Sequence, residues 1–436
     1  MITGATAPGG EGRDDGGMPR VLLIVPNATY RAEDFLDAAS RLGVEVVTGS
    51  EPDPALGGLL GDRFLPLELA DPERAAQAIA AFDARVPIDA IVAVDDGGGL
   101  VAACAAQRLR LRHNPPEAVA RTRNKAAMRA SLATAEVPQP AVAVLDAPTP
   151  GRAARAAAAI GFPAVVKPVS LCASRGVIRV DDEPGARAAA ARIRAILDEA
   201  GAPPGEPLLV EAFVPGAEIA VEGLVRAGEL EVLAIFDKPD PLDGPFFEET
   251  IYVTPSRAPR AHLDAALDAT RRAVGALGIV DGPIHAELRL GGPPAGPQVI
   301  EVAARTIGGR CARTLRFATG ASLEELVLAH ALGRDELVGA RGAPGAAGVM
   351  MLPVPASGRL VRVDGVERAC AVPGVTGCEV TVPIGSRVRQ APETDRYLGF
   401  LFARGADPGA VEAALRAGHR ELEIEIEIEI EIAPEG

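Results

Sequence analysis

The sequence predicts an α/β protein that continues into an α+β region. Residues 20–111 alternate short apolar runs with segments of helical spacing, which is typical of a parallel sheet covered by helices. Further on, the apolar-alternating runs Ile284–Leu290 and Gln298–Ala303 flank a Gly- and Pro-rich loop. That pattern predicts an antiparallel hairpin. The two regions together predict a chain with both α/β and α+β parts.

Composition limits the class of protein. The chain has 436 residues, 48% hydrophobic and 24% charged, as expected of a globular protein large enough for several domains. No apolar run reaches the roughly 18 residues of a membrane helix, and a net charge of −15 argues against nonspecific nucleic-acid binding. The five cysteines are scattered without a CxxC pair. We expect a cytoplasmic protein with neither nucleic-acid nor membrane partners.

The N-terminal part divides into an extension, residues 1–19, and an α/β domain, residues 20–115. The extension is Gly- and Asp-rich and lacks periodicity, which indicates disorder. In the domain, a Gly-rich turn at residues 97–99 follows the third strand and is a candidate phosphate loop. The predicted strands are Val21–Val25, Val44–Thr48 and Ile88–Val94, and the predicted helices are Glu33–Leu42, Pro72–Arg85 and Leu100–Leu111.

The acidic hairpin places two carboxylates opposite each other. If pairing is symmetric about Pro294, Glu287 faces Glu301 with roughly 4.5–5.5 Å between their Cβ atoms. Opposed carboxylates repel unless a cation lies between them, and their hard oxygens suit Mg²⁺. A solvated acidic face is the alternative, and a one-residue slip in register would separate the pair. Downstream, Arg305, Gly308-Gly309 and Arg310 supply guanidinium groups and an accessible backbone, an anion-binding set beside the cation site.

HAEL followed by EVAARTIGGR resembles the metal-binding end of the ATP-grasp superfamily, and EVAAR is similar to its L-amino acid ligase branch. The resemblance implies an ATP-grasp fold with an N-terminal α/β (pre-ATP-grasp) domain and a small C-terminal α+β domain. The implied ATP-grasp domain spans residues 116–338, with a lid subdomain at about 140–215. The C-terminal domain spans 349–422, and residues 423–436 form a low-complexity Glu/Ile tail.

The resemblance also assigns nucleotide-binding roles. Lys125, on a basic helix from Glu117 to Pro140, and Lys167, at the end of an apolar strand, would contact phosphates. A lysine at such a strand end must either reach water or meet a negative partner. Ser174 lies in the implied phosphate lid, and Glu218 would bind the ribose hydroxyls. The implied adenine corner comprises Glu211, Ala212, Phe213 and Val214.

A substrate pocket is implied around a predicted strand, Phe246–Val253. Glu249 would receive an ammonium group, with Tyr252 beside it, although a solvated edge strand is the alternative. Gly308 and Gly309 would let the backbone approach substrate. We assign Arg305 to the transferred phosphoryl group and activated carboxylate, and Arg310 to a free substrate carboxylate. His285, two residues before Glu287, is a further candidate for contact with substrate or metal.

The function implied is an ATP-dependent carboxylate–amine ligase that forms an acylphosphate and releases ADP and phosphate. Its cofactors would be ATP and Mg²⁺ or Mn²⁺, with two metal ions held by Glu287 and Glu301. Its partners would be a small-molecule carboxylate, an amine and a second copy in a homodimer. Ala303 stands where many relatives have an Asn ligand. The alternatives are a biotin-carboxylase-like subunit and a catalytically silent nucleotide-binding protein.

The C-terminal part carries further expectations. A helix at Ser322–Leu332 precedes a predicted linker, Gly339–Gly348, and Asp407-Pro408 begins an Ala-rich helix that runs to about His419. The Glu/Ile alternation at Glu421–Ile432 predicts an extended strand. We expect its charge to discourage edge pairing.

Overall fold

The computed structural model describes residues 17–27, 29–291, 296–315, 320–334, 344–394 and 396–428. Most of the predicted N-terminal extension, the tip of the acidic hairpin, the first half of the predicted linker and the end of the tail lie outside these ranges. Among the described helices, none combines the length and apolar composition needed to cross a bilayer.

A parallel sheet with helices packed on both faces opens the described chain. Its order is β3-β2-β1-β4. The sequence missed a short helix and a short strand, α2 and β3, and misplaced the start of α4. Asp95 accepts the Gly97 amide, so residues 97–99 form the first helical turn rather than a loop. The elements are β1 (Arg20–Ile24), α1 (Ala32–Leu42), β2 (Glu45–Ser50), α2 (Pro54–Leu60), β3 (Phe64–Pro66), α3 (Pro72–Asp83), β4 (Ala90–Ala93) and α4 (Asp96–Leu109).

Two helices, α5 (Pro116–Arg123) and α6 (Lys125–Thr134), replace the single helix predicted from Glu117 to Pro140. Asn124 has extended backbone angles, and its side chain accepts the Ala127 amide, so it ends one helix and caps the next. The break places Lys125 at the first position of α6.

An antiparallel sheet of order β5-β8-β6-β7 follows, packed against two helices. Thr149 and Asp182 cap those helices, each with its side chain accepting an amide in the first turn. The apolar strand predicted before Lys167 is confirmed as β6. The elements are β5 (Val142–Leu145), α7 (Pro150–Ile160), β6 (Ala164–Pro168), β7 (Ile178–Val180), α8 (Glu183–Glu199) and β8 (Leu208–Ala212).

An eight-stranded antiparallel sheet carries the acidic hairpin. Its order is β13-β12-β9-β10-β11-β14-β18-β16, so strands from the C-terminal part extend the same sheet. The predicted strand Phe246–Val253 is shorter, because Phe246 bridges to Ile178 of the preceding sheet instead. The elements up to residue 331 are β9 (Glu218–Arg226), β10 (Glu229–Lys238), β11 (Ile251–Thr254), α9 (Arg260–Leu277), β12 (Asp281–Arg289), β13 (Gln298–Ala303) and α10 (Leu323–Ala331).

The C-terminal part adds a second small sheet, and two predictions about it are wrong. β14 begins at Ala346, inside the predicted linker, and the Glu/Ile tail pairs with β15 as β19. Arginines on and near β15 face the tail glutamates; Arg362 Nε lies 3.1 Å from Glu425 Oε2, so opposite charge favours the pairing. The elements are β14 (Ala346–Leu352), β15 (Gly358–Asp364), α11 (Val366–Ala371), β16 (Val375–Val380), β17 (Arg387–Val388), β18 (Gly399–Gly405), α12 (Pro408–Arg420) and β19 (Glu423–Glu427).

Candidate functional site

The cross-strand pairing of Glu287 with Glu301 is confirmed. The register of β12 and β13 runs symmetrically from His285 and Ala303 to this pair, and a bulge shifts it by one residue immediately afterwards. Both carboxylates are partly buried, with side-chain exposures of 16% and 28%. Two hard oxygen donors on one face of a sheet form a donor set that fits Mg²⁺ or Mn²⁺.

Lys238, at the end of β10, lies among three carboxylates. Its Nζ is 2.7 Å from Glu218 Oε1, 2.6 Å from Glu249 Oε1 and 2.8 Å from Glu287 Oε1. Burial opposes the ammonium charge, yet the three carboxylates raise the pKa of Lys238 well above its ordinary value. Tyr252 is buried, with its ring centroid 5.0 Å from Nζ. Glu218, Glu249 and Glu287, which were predicted to bind ribose, an ammonium group and metal respectively, therefore all contact the ammonium group of Lys238.

The charge state of these carboxylates differs with their surroundings. Burial raises the pKa of Glu249 to about 7, with Lys238 opposing the rise and Glu287 adding to it. Burial also acts on Glu287, but Lys238 and His285 hold its pKa well below the usual range. Glu287 is thus ionised at neutral pH, as a metal ligand must be.

The predicted adenine corner is held by a buried arginine. Arg289, on β12, donates from Nε to Glu218 Oε2 at 3.0 Å and from Nη1 to the Val214 carbonyl at 2.9 Å. Its guanidinium lies 5.1 Å from the centre of the Phe213 ring. Within this corner, Ala212 is the last residue of β8. No sequence pattern pointed to Arg289, which fixes the predicted adenine corner against β12.

Lys167 meets a negative partner, Glu211, rather than reaching water. Nζ lies 2.8 Å from Glu211 Oε2, and Arg129 donates to both oxygens of the same carboxylate. Burial, aided by Arg129, lowers the pKa of Lys167 to about 8. Burial alone would raise the pKa of Glu211, but the two cations lower it to about 2. Arg129 also donates to the Val299 carbonyl, tying α6 to β13.

Lys125 links the loop predicted to be the phosphate lid to the acidic hairpin. Its Nζ donates to the Leu171 carbonyl at 2.7 Å and lies 3.5 Å from Glu301 Oε1. Ser174, in the same lid, has φ +55, and Gly176 has φ +72. Left-handed backbone at two nearby positions makes the lid a tight turn.

His285 lies between two carboxylates and does not face open solvent. Its ring nitrogens are 3.3 Å from Glu222 Oε2 and 3.3 Å from Glu287 Oε1. The second oxygen of Glu222 accepts the Ile307 amide at 3.0 Å. Arg31, from the N-terminal region, donates to the carbonyls of Thr306 and Ile307. The loop after β13 is therefore fixed from both sides.

The two predicted arginines contact different parts of the chain. Arg305 Nε donates to Asp96 at the start of α4 at 2.5 Å. Arg310 is ion-paired with Glu379 of β16, and its guanidinium lies 5.3 Å from the centre of the Phe400 ring. Within the described part of the chain, the buried Nε of Arg310 has no hydrogen-bond acceptor. The Nε donor of Arg310 is therefore unsatisfied in this structure.

The glycines before Arg310 permit close packing. The Gly309 amide donates to the Tyr30 hydroxyl at 2.7 Å, and a Cβ at Gly309 would lie 2.3 Å from Met351 Sδ. A Cβ at Gly308 would approach Tyr30 and Arg31 at ordinary contact distance, 3.6 Å. Of these two glycines, Gly309, with φ +60, is the one that both space and backbone conformation constrain to glycine.

The structure brings the predicted residues of four segments together around β12 and β13, and adds Lys238, Arg289, Arg129 and Glu222. One sequence observation could have found Lys238. The chain has three lysines among 44 basic residues, Lys125, Lys167 and Lys238, and all three lie in this site.

Three family models match the chain. They describe an ATP-grasp N-terminal domain at residues 36–113, an ATP-grasp domain at residues 160–314 and an L-amino acid ligase C-terminal domain 2 at residues 350–427. These matches include β2 to β4, the acidic hairpin with Arg305 and Arg310, and β15 to β19, whereas β1 and Lys125 lie outside them.

Similar proteins match over different lengths. The uncharacterized protein y4rH of Sinorhizobium fredii is 27% identical over 391 residues, covering 88% of this chain and 79% of that protein. The alanine–anticapsin ligase of Bacillus subtilis is 27% identical over 185 residues, 39% of this chain and 38% of the ligase. The chain therefore spans well under half of the latter relative.

Solved structures agree over nearly the whole chain. An L-amino acid ligase from Bacillus licheniformis superposes with a TM-score of 0.76 and 27% identity, covering 94% of this chain and 99% of the ligase. A carboxyaminoimidazole ribonucleotide synthase from Aspergillus clavatus, complexed with ATP, gives a TM-score of 0.72 at 16% identity, covering 92% and 97% of the two chains. The second likeness concerns the fold alone.

Proposed function

The chain belongs to the ATP-grasp superfamily, and we propose that it is an ATP-dependent ligase that joins the carboxylate of an amino acid to an amine. The observation that carries the proposal is the Glu287–Glu301 pair, with Lys238 Nζ 2.8 Å from Glu287 and Lys125 Nζ 3.5 Å from Glu301. The similarity to an L-amino acid ligase over 94% of the chain supports an amino acid as substrate.

Each group has a part in the proposed chemistry. A substrate carboxylate oxygen attacks the γ-phosphorus of ATP, and ADP leaves. The amine nitrogen then attacks the acyl carbon of the acylphosphate, loses a proton and expels phosphate, leaving an amide. Bound Mg²⁺ would neutralise phosphate charge during this transfer. Glu287 and Glu301 would hold the metal, while Lys125 and Lys167 would bind phosphate oxygens.

The two arginines and Glu249 would each bind a different chemical group of the substrates. Arg305, held by Asp96, would orient the transferred phosphoryl group, and Arg310, with its spare Nε, would bind a free carboxylate. Glu249 would receive an ammonium group. Glu218 and the Glu211–Val214 corner would bind the ribose and adenine. A homodimer is part of the proposal, since related enzymes of this fold include a dimer.

The test is metal-dependent ADP release with a panel of amino acid pairs, with product identified by mass spectrometry. We expect ADP and phosphate in equal amounts and a product lighter than its two substrates by one water. ADP release stimulated by bicarbonate alone would favour a carboxylase. Nucleotide binding without turnover under every pairing would favour a catalytically silent protein. Either outcome would contradict the proposal.

A further inference from the structure

Lys238 occupies a position where this chain uses lysine instead of arginine. Only three of the 44 basic residues are lysines, and the other two, Lys125 and Lys167, are the proposed phosphate ligands. In a chain that uses arginine for almost every cation, lysine here points to a requirement for a compact ammonium group.

The surroundings of Lys238 match an ammonium group in number and geometry. An ammonium has three N–H donors, and three carboxylate oxygens lie 2.6–2.8 Å from Nζ, one each from Glu218, Glu249 and Glu287. The lysine side chain is 3% exposed. The ammonium directs its three donors from a single atom, whereas arginine spreads its donors over the three nitrogens of a planar fork.

The same three carboxylates are spaced as ligands of a single cation. One oxygen from each lies within 4.8 Å of the others, a separation that would suit a metal ion if the lysine were absent. The cluster is further neutralised, because Glu218 also meets Arg289 and Glu287 also meets His285. Glu301, by contrast, is 28% exposed, and the basic group beside it, Lys125, lies 3.5 Å away.

We infer that Lys238 is a built-in cation that fills this site in place of a metal and confines divalent metal to the side of Glu287 that faces Glu301. The inference rests on the proposed function only in taking Glu287 and Glu301 as the metal ligands. A divalent ion entering the cluster must displace an ammonium that makes three charge-assisted hydrogen bonds. An ion between Glu287 and Glu301 displaces none of them.

Lys238 is therefore a positioning residue. It holds Glu218, Glu249 and Glu287, the proposed ribose, ammonium and metal ligands, in fixed relation to one another. Loss of Lys238 leaves three buried carboxylates without their shared cation, and a metal ion becomes the available replacement.

The test counts Mn²⁺ ions bound to the full chain, by electron paramagnetic resonance, without nucleotide or amino acid. We expect Lys238→Met to bind one more Mn²⁺ than the native protein, and Lys238→Met/Glu249→Gln to weaken that additional site by about tenfold or more, as loss of a ligand contact does. Arg362→Met, which removes an exposed ion-pairing cation from β15, is the matched control and should gain no site.

A second measurement does not depend on the folding of Lys238→Met. In the native background, Glu249→Gln should leave Mn²⁺ affinity unchanged within about twofold, because Lys238 and not metal occupies that carboxylate. A tenfold loss would mean that metal displaces Lys238, and the inference would be wrong. Absence of an additional ion in folded Lys238→Met would also overturn it. Ligase turnover does not enter either count, so failure of the proposed activity is a separate result.

Discussion

Glu222 faces His285 across the neighbouring strands β9 and β12, with 3.3 Å between Glu222 Oε2 and His285 Nδ1. The other carboxylate oxygen accepts the Ile307 amide, two residues beyond Arg305. Glu222 thus connects the strand of Glu287, a proposed metal ligand, to the loop that carries Arg305 and Arg310. It is wholly buried, and burial raises its pKa above the ordinary value.

This connection predicts a positioning role for Glu222. Glu222→Gln retains the side-chain shape but loses the charge and replaces one acceptor oxygen with an NH₂ donor, so His285 and the Ile307 amide no longer share a carboxylate. We expect Mn²⁺ affinity to fall by about 10–100-fold, as for other residues that orient metal ligands, with a lower kcat. Calorimetric titration with Mn²⁺ measures the first effect. A lower melting temperature with unchanged Mn²⁺ affinity would assign Glu222 a structural role only.

The carboxylate pair gives a second prediction. Glu287→Gln or Glu301→Gln should lower kcat by about 10²-fold or more, because a neutral amide keeps the shape and loses the charge that holds metal. Circular dichroism should show the fold intact. Glu229→Gln, an exposed carboxylate on β10, is the control. Loss of such a charged group commonly lowers kcat by about 10²-fold or more. If either site variant kept more than about a tenth of the activity, the pair would not be the metal site.

The buried pair of Glu211 and Lys167 gives a pH prediction. The pKa of Glu211 is lowered from 4.5 to about 2 in the folded protein. A depressed carboxyl pKa contributes stability that is fully present above the unfolded-state pKa and is lost as pH falls toward the folded-state pKa. Native protein should therefore lose about 1.4 kcal/mol of unfolding free energy between about pH 6 and pH 3.5 that Glu211→Gln does not lose.

Urea denaturation of both proteins at the two pH values measures the difference. An equal loss of unfolding free energy in native protein and Glu211→Gln would mean that Glu211 titrates normally in the fold. Since Arg129 contacts both oxygens of Glu211, Lys167→Met offers a comparison in which one of the two cations remains.

We expect substitution of Arg305 and of Arg310 to change different kinetic constants. Arg310→Lys should raise KM for an amino acid by roughly 10–100-fold, the loss of a charge-assisted hydrogen bond worth about 1.5–3 kcal/mol, with KM for ATP nearly unchanged. Arg305→Lys should instead lower kcat. Steady-state kinetics with each substrate varied in turn separates the two. If both variants altered only KM for ATP, the arginines would belong to the nucleotide site.

The local sequence pattern was sufficient to predict the acidic hairpin. Alternation gave the bounds of β13, and symmetry about Pro294 placed Glu287 opposite Glu301, because a two-residue side-chain period leaves few registers that bury one face. Side-chain capping was harder to foresee. Asn124 divides one predicted helix and Asp95 lengthens another, since each satisfies backbone amides that helical periodicity does not report.

Contacts between distant segments could not be predicted from pattern. Lys238 reaches Glu287 across 49 residues, and Arg31 reaches Thr306 across 275. Which partner a buried charge meets depends on the strand order of the large sheet, and the sequence does not display that order. The pairing of the acidic tail with β15 likewise depends on arginines more than fifty residues away.

Transfer of a carboxylate oxygen to phosphate tests the central claim most directly. An amino acid labelled with ¹⁸O in its carboxylate is turned over with ATP, Mg²⁺ and an amine substrate, and the released phosphate is analysed by mass spectrometry. Activation of the carboxylate as an acylphosphate predicts one ¹⁸O atom in each phosphate formed with product. Product accompanied by unlabelled phosphate alone would contradict carboxylate activation and, with it, the ligase assignment.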